Sequence, residues 1–433
     1  VEPVIHVIGG GLAGSEAAFY LAEKGWSVRL SEMRPLVSNE VHQTDYLAEL
    51  VCSNSFRSDD PNHPVGLLKR EMERFKSLVM ACARASAVPA GGALAVDRHD
   101  FSGRVTEQVR RHPRIELVRE EVTKLPNPPA VIATGPLCSD SLAAILQDKL
   151  GDESLYFYDA IAPVIDYDSL DHSVVFTQSR YDKGGEDYLN IPLNKEEYDH
   201  FHDSLLGAEL VESKSHEKMK FFEGCLPIEV MATRGKDTLR FGPMKPVGLQ
   251  DPRTGETPYA VIQLRQDNYA KSLWNMVGFQ TQMKWGEQKR IFRMLPGMEK
   301  AKFSRLGMIH RNTYLNSPHH LEPTFRIKGD SALFLAGQIS GVEGYLESAA
   351  SGLMAGIHLD RELKGLPPLP LPPETALGSL AHYVSHPGHQ DFQPVNVNFG
   401  LFPALEKKMP KRQRRVAYVE RAERVLDSYL TGI

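Results

Sequence analysis

Three glycines at a fixed spacing and four scattered cysteines are the residues of this chain whose types and positions could do chemistry. Gly9, Gly11 and Gly14, within "GGGLAG", match GxGxxG. In that pattern the first glycine permits a tight turn. The second lets the backbone approach a pyrophosphate, and the third lets helix and strand pack closely. The cysteines stand at 52, 82, 138 and 225, with no CxxC pair and no metal-like spacing. Such thiols fit a reducing compartment better than a disulfide framework. An isolated cysteine is usually a small buried hydrophobe, and that reading suits Cys82 in "VMACARA" and Cys138. Cys225 sits in "EGCLP", a turn with Gly224 and Pro227 that can present a thiol.

The elements around these residues follow from patterning. "VIHVI" (4–8) is a short β-branched apolar run, as in a parallel strand buried on both faces. The glycine turn leads into "SEAAFYLAEK" (15–24), whose apolar residues recur at helical spacing until Gly25 stops them, and "WSVRLSE" (26–32) is a second strand. A helix beginning near Leu12 points its N-terminal N–H groups at phosphates, and Glu32, closing the second strand, accepts from adenosine ribose hydroxyls. "VIATG" (131–135) and "LFLAGQ" (333–338) are two more strands that meet a glycine. With the glycine loop they favour FAD over NAD, the helix after Gly341 offering its N-terminus to the flavin. Helical patterning also covers 65–85, and 114–118 is a further strand.

The fold class expected is α/β, with a Rossmann-like, glutathione-reductase-like FAD-binding domain that is discontinuous in sequence. Residues 1–139 form its first part and 301–433 its second, with an α+β domain inserted over 140–300. The second part carries a proline-rich connector (364–378) and a basic, then amphipathic tail (403–430). No run approaches the roughly 18 apolar residues of a membrane span, and the opening lacks the basic leader of a signal peptide. A net charge of −5 gives no global sign of a nucleic-acid partner, so one would need a local basic face. Candidates are "KWGEQKRIFR" (284–293), with Lys284, Lys289, Arg290 and Arg293 around Trp285 and Phe292, and the tail with Lys407, Lys408, Lys411, Arg412, Arg414 and Arg415. Cations give salt-sensitive phosphate contacts, and aromatics stack on unpaired bases. Opposing acids (Glu287; Glu406, Glu420 and Glu423) temper both clusters. His319-His320, neighbours in an expected loop, have no ligand geometry, and no metal is expected.

The segments "VIGGGLAGSEAAFYLAEKG", "SEMRP" (31–35), "ELVCSNS" (49–55), "VPAGGALAVDRHDFS" (88–102), "LRFGPMKPVGL" (239–249), "MLPGME" (294–299), "HRNTYLNSP" (310–318) and "AGQISGVEGYLESAASG" (336–352) together resemble the TrmFO family. These are folate- and FAD-dependent tRNA (uracil-5-)-methyltransferases, and the likeness runs from about residue 4 to 360. Only the first and last segments are shared widely with the related GidA/MnmG flavoproteins, which modify wobble uridines. The resemblance implies a cytoplasmic enzyme that methylates the T-loop uridine (position 54 in tRNA numbering). It implies 5,10-methylenetetrahydrofolate as donor and reduced FAD as reductant, regenerated by NADH or NADPH. The expected cofactor contacts are Gly9, Gly10, Gly11, Leu12, Ala13, Gly14, Glu32, Arg34, Gly135, Gly337, Gln338, Gly341 and Tyr345.

That chemistry needs thiols. A thiolate adding to uracil C6 makes C5 enolate-like and able to attack a one-carbon unit, after which a base removes the C5 proton. Hydride from reduced flavin then completes the methyl group, while methylene transfer through flavin N5 is the competing route. By resemblance Cys225 is the nucleophile and Cys52 the second functional thiol, a base or a cap. Tyr345, His310 and Arg311 are chemically suited to folate. A wobble-uridine flavoprotein, a plain FAD oxidoreductase or disulfide reductase, and a non-catalytic FAD-stabilised binding protein are the other readings. A disulfide reductase would need the CxxC or CxxxxC pair that this chain lacks.

Overall fold

The computed structural model describes residues 3–39, 41–151, 155–182, 185–211, 221–389, 391–406 and 409–432. The β-branched run at the start forms the strand Ile5–Ile8, centre of a five-stranded parallel sheet. From one edge to the other the order is Leu333–Leu335, Ala130–Ile132, Ile5–Ile8, Val28–Glu32 and Ile115–Arg119. Register sets Ile8 beside both Ser31 and Ile132, so the central strand ends level with its neighbours and the glycine loop leaves from their shared edge. Strands 5–8, 130–132 and 333–335 are almost wholly apolar and buried, as a sheet covered on both faces requires.

The helix Leu12–Glu23 lies against the long helix Tyr345–Leu363. Small residues allow the approach: a Cβ on Gly352 would stand 2.1 Å from the Ala13 carbonyl oxygen. The helical stretch 65–85 is divided into two helices, Pro64–Arg74 and Leu78–Ala85. Lys76 takes a positive φ of 58° between them, and Ser77 caps the second helix by accepting from Met80 N–H at 3.1 Å. Buried Glu16 accepts from Leu78 and Val79 N–H at the same turn. Apolar periodicity runs through the break, so only the capping residue marked it.

A second, six-stranded sheet is antiparallel throughout, in the order 176–177, 188–193, 260–266, 273–276, 164–166 and 303–305. It has its own core, including Ile165, Ile262, Phe279 and Phe292. The strand Leu155–Ala160 pairs antiparallel with Ile309–Tyr314, forming a two-stranded ribbon. The tail helix is Lys411–Leu430, shorter than the 403–430 expected.

Candidate active site

The glycine loop is shaped by contacts that a side chain would break. Gly9 has φ +99°, and a Cβ there would lie 2.5 Å from the Ala133 carbonyl oxygen. A Cβ on Gly14 would come within 1.8 Å of the Gly9 carbonyl oxygen, so the helix sits directly on the loop. Gly10 has Leu47 at 2.4 Å from its Cβ direction. At Gly11 an added Cβ meets nothing within 4 Å among the described residues beyond its chain neighbours. Protein packing therefore does not require the middle glycine, whereas a ligand close to the backbone would. Gly11 is also the N-cap of Leu12–Glu23 and supplies no capping side chain. The first N–H groups of that helix have no side-chain oxygen from the cap and suit an anion.

Glu32 stands beside the loop, 5 % exposed. Gly10 N–H donates to its Oε2 at 2.7 Å, and Arg34 donates to Oε1 through Nε at 2.8 Å and its backbone N–H at 3.0 Å. Burial works against ionisation, but the Arg34 charge and these hydrogen bonds outweigh it and hold the carboxyl below its usual range. Arg34 is itself engaged with Glu49 and the Thr44 carbonyl, so it orients Glu32 from behind. A groove of about 540 Å³, lined by Gly9, Gly11, Glu32, Arg34, Thr134 and Cys138 among others, runs past these residues. Open space at Gly11, an uncapped helix start and an ionised ribose acceptor fit the adenosine diphosphate half of FAD. Cys138, expected as an inert thiol, lines this groove, although burial pushes it up to about 11.

The remaining cofactor candidates divide. Leu12 and Ala13 are buried in the helix start, with Ala13 against Gly352. Gly135 (φ +68°) and Gly337 (φ +84°) turn the chain after their strands. Gly341 has φ +83° and faces Phe392, whose Cζ would lie 2.3 Å from a Cβ, so packing alone accounts for it. Gln338 and Tyr345 line a second cavity.

That cavity, about 1120 Å³, brings both candidate cysteines together. Cys52 arrives on the segment that follows Leu50, and Cys225 on a short 3-10 turn, Glu223–Cys225. Arg57, Asp159, His310, Gln338, Glu343 and Tyr345 share the wall. The Tyr345 hydroxyl accepts from Cys52 N–H at 2.7 Å and Ser53 N–H at 3.2 Å, while Arg305 and Arg98 donate to the Cys52 carbonyl. Tyr345 and two guanidinium groups thus fix the Cys52 backbone. Burial, then the Asp159 charge, push the Cys52 thiol up to about 12 and raise Cys225 well above its ordinary value. Both are thiols at neutral pH, so attack through sulfur needs a base. Cys82 is buried in its helix, as expected.

Asp159, Glu343 and Arg57 are site residues that sequence reasoning missed. Asp159 carried one faint signal, a lone acid in the apolar run "LYFYDAIAPV". Of the residues suited to folate, His310 is on the cavity wall, but Arg311 points from the other face of its strand and is exposed. His319 and His320 lie in the short helix Ser317–His320 and not in a loop.

The basic segment 284–293 forms the helix Trp285–Phe292 with its flanks. Lys284 pairs with Glu209 at 3.0 Å and Arg290 with Glu287 at 2.7 Å. Arg293 donates to the Ala301 carbonyl, and Lys289 is exposed. Trp285 is 59 % exposed, but Phe292, expected to interleave with the cations, is fully buried in the second core. Trp285 opens the helix at its exposed end, whereas Phe292 closes it inside the core. In the tail, Arg414 and Arg415 are exposed, whereas Lys407 and Lys408 and the side chains of Lys411 and Arg412 lie outside the described residues.

Fold and groove define a FAD-binding α/β protein of the GidA type. GidA of Aquifex aeolicus superposes with a TM-score of 0.71 in one crystal form and 0.70 in another, at 15% identity, covering 99% and 98% of this chain and 73% and 76% of those chains. The profile of the family described as glucose inhibited division protein A matches residues 4–367. Proteins from Bacillus cereus (strain Q1) and Bacillus cytotoxicus, each named methylenetetrahydrofolate--tRNA-(uracil-5-)-methyltransferase TrmFO, are 54% identical over 99% of this chain and 99% of their own. The chain belongs to the TrmFO family, a relative of GidA.

Proposed function

We propose that this protein methylates C5 of the T-loop uridine, position 54, of tRNA, with 5,10-methylenetetrahydrofolate as the one-carbon donor. The observation that carries the reading is the single cavity holding Cys52 and Cys225. A reductase dithiol would not need the space for a base and a pterin that surrounds this pair. Bound FAD in its reduced form supplies reducing equivalents, and NADH or NADPH regenerates it in the cytoplasm. Gly9–Gly14 and Glu32 hold its adenosine diphosphate half, and the segment Gly337–Tyr345 borders its reactive end. Cys225 attacks uracil C6, while Tyr345, Arg98 and Arg305 keep Cys52 in place beside it. Residues 1–139 and 301–433 serve as the FAD-binding domain, except that strand 303–305 completes the sheet of the 140–300 insertion, which delivers Cys225. Lys284, Lys289, Arg290, Arg293, Lys411 and Arg412 provide the RNA-facing charge.

The test is incubation of unmodified tRNA transcript with the flavin-loaded protein, NADH and 5,10-methylenetetrahydrofolate, followed by digestion and mass spectrometry. Folate-dependent 5-methyluridine in the T-loop fragment is the expected product. Modification at the wobble uridine, or NADH oxidation without any RNA product, would replace the reading. In the same assay Cys225→Ala should keep its flavin absorbance and lose methyl transfer.

A further inference from the structure

The two thiols hang from consecutive residues of one strand. The Cys225 thiol donates to the carboxylate of Asp159, whereas Cys52 Sγ donates to the Ala160 carbonyl oxygen at 3.7 Å. A carboxylate accepts a proton outright; a peptide carbonyl does not. Asp159 is 6 % exposed and faces His310 directly across the ribbon, in register, with Oδ2 3.9 Å from Nε2. Its Oδ1 accepts from Ala160 N–H at 3.0 Å. His310 Nδ1 is buried on the cavity wall with no hydrogen-bond partner among the described residues. An acid held against a thiol on one side and an imidazole on the other is the arrangement of a nucleophile, its base and a group that positions the base.

We propose that Asp159, positioned by His310, is the base that takes the proton of Cys225, and that Cys52 stays a thiol during the attack. The proposal rests on Cys225 being the uracil nucleophile. As Sγ bonds to uracil C6, the C5–C6 π pair moves onto the C4 carbonyl oxygen and the S–H proton passes to the Asp159 carboxylate. At the end of the reaction, after the C5 proton has gone to a base, hydride arriving at the methylene on C5 returns its π pair to C5=C6. The C6–S bond breaks with its pair on sulfur, and Asp159 returns its proton to the departing thiolate. Asp159 touches the reacting sulfur and is catalytic; His310 acts through it.

Burial acts in opposite directions on the two members of this acid–imidazole pair. Burial raises the Asp159 carboxyl, opposed by His310 and by the Cys225 hydrogen bond, and burial lowers the His310 imidazole. Burial thus makes the Asp159 carboxylate a stronger base and favours an uncharged imidazole beside it. Glu343, which also lines the cavity, is raised well above its ordinary value by burial and then by the Asp159 charge. Behind it Glu347 is paired with Arg57, and Arg98 and Arg305 stand behind Cys52.

The probe is a T-loop RNA hairpin with 5-fluorouridine at the target position, mixed with flavin-loaded enzyme. Adduct formation is followed on denaturing gels, and the modified cysteine is found by peptide mapping. In the unmutated enzyme the adduct is expected on Cys225, with a rate that levels off with pH once Asp159 is ionised. A rate that rises tenfold per pH unit across pH 6 to 10 would mean ionisation straight to solvent and would overturn the proposal. Asp159→Asn should slow the adduct about 100-fold with RNA affinity retained, and recover as pH rises; Asp159→Glu should restore part of the rate. An unchanged rate in Asp159→Asn, with the adduct still on Cys225, removes Asp159 alone. An adduct on Cys52 instead removes the nucleophile assignment beneath it. His310→Gln should move the midpoint of the pH profile without abolishing the reaction. If Asp159→Asn fails to hold flavin, the profile of the unmutated enzyme decides.

Discussion

Gly11 and Gly14 occupy one loop and answer to different masters. Gly14 is demanded by the protein, because its Cβ would overlap a backbone oxygen. Gly11 meets no other described residue within 4 Å of an added Cβ and lines the groove, so its missing side chain leaves the groove open. Gly11→Leu is therefore expected to fold with its melting temperature little changed and to purify without yellow absorbance. A variant that keeps full flavin absorbance would place the pyrophosphate elsewhere. Buried Glu71 is a second residue whose setting gives a test. Its carboxylate accepts from Ala376 and Leu377 N–H at the start of the helix Ala376–Ser385, and burial, against those bonds, pushes it from 4.5 up to about 8. The folded state thus holds a proton that the unfolded chain has released between pH 4.5 and 8, so its stability contribution declines as pH rises through that window. Thermal unfolding of Glu71→Gln at pH 5.5 and pH 8.5 should show the variant gaining on the parent at the higher pH. An equal difference at both would refute the shift.

At the scale of elements, the crossing of Leu12–Glu23 with Tyr345–Leu363 ties the glycine loop to the segment bordering the thiol cavity. Two glycines at that crossing differ in what they meet. At Gly352 the neighbour is the Ala13 backbone, 2.1 Å from the Cβ direction, and at Gly356 it is the Tyr20 ring, 3.1 Å away. A ring edge shifts and a backbone does not. Gly352→Ala should cost about 1–3 kcal/mol and lower flavin occupancy, while Gly356→Ala should cost less on both counts. Denaturant unfolding with flavin absorbance checks both, and equal effects would mean that the helices adjust as rigid bodies. The ribbon of Leu155–Ala160 with Ile309–Tyr314 does comparable work for the other site, setting Asp159 opposite His310.

For the whole molecule, a chain of net charge −5 must bind RNA through a local face. The tail helix turns Val419, Ala422, Leu426 and Tyr429 inward and pairs Glu423 with Arg70 and Asp427 with Arg74 on the helix Pro64–Arg74. Two of its acids are thereby neutralised against the body of the protein, while Arg414 and Arg415 stay exposed. The other cluster is weaker than its composition suggests, since Arg290 and Arg293 are engaged within the protein. tRNA binding should weaken steeply with salt, and Lys289→Glu should reduce the log–log slope by about one or more. Titrations between 50 and 200 mM salt measure this, and an unchanged slope would take Lys289 out of the contact surface.

By itself the sequence determined what is local. The strand, glycine turn, helix, strand and Glu32 lie within the first 32 residues, and their spacing, periodicity and conformational demands are properties of adjacent residues. Family likeness singled out Cys52 and Cys225 as the candidate thiols, but not what surrounds them. The break at Lys76 and the inward turn of Phe292 were decided by capping and core packing that apolar pattern does not encode. Only the tertiary structure placed Asp159 against Cys225 and His310, and Cys52 against Ala160. Those residues come from four separate stretches of chain, brought together by a ribbon and two sheets, and contacts so distant in sequence leave no periodic trace for a local reading to find.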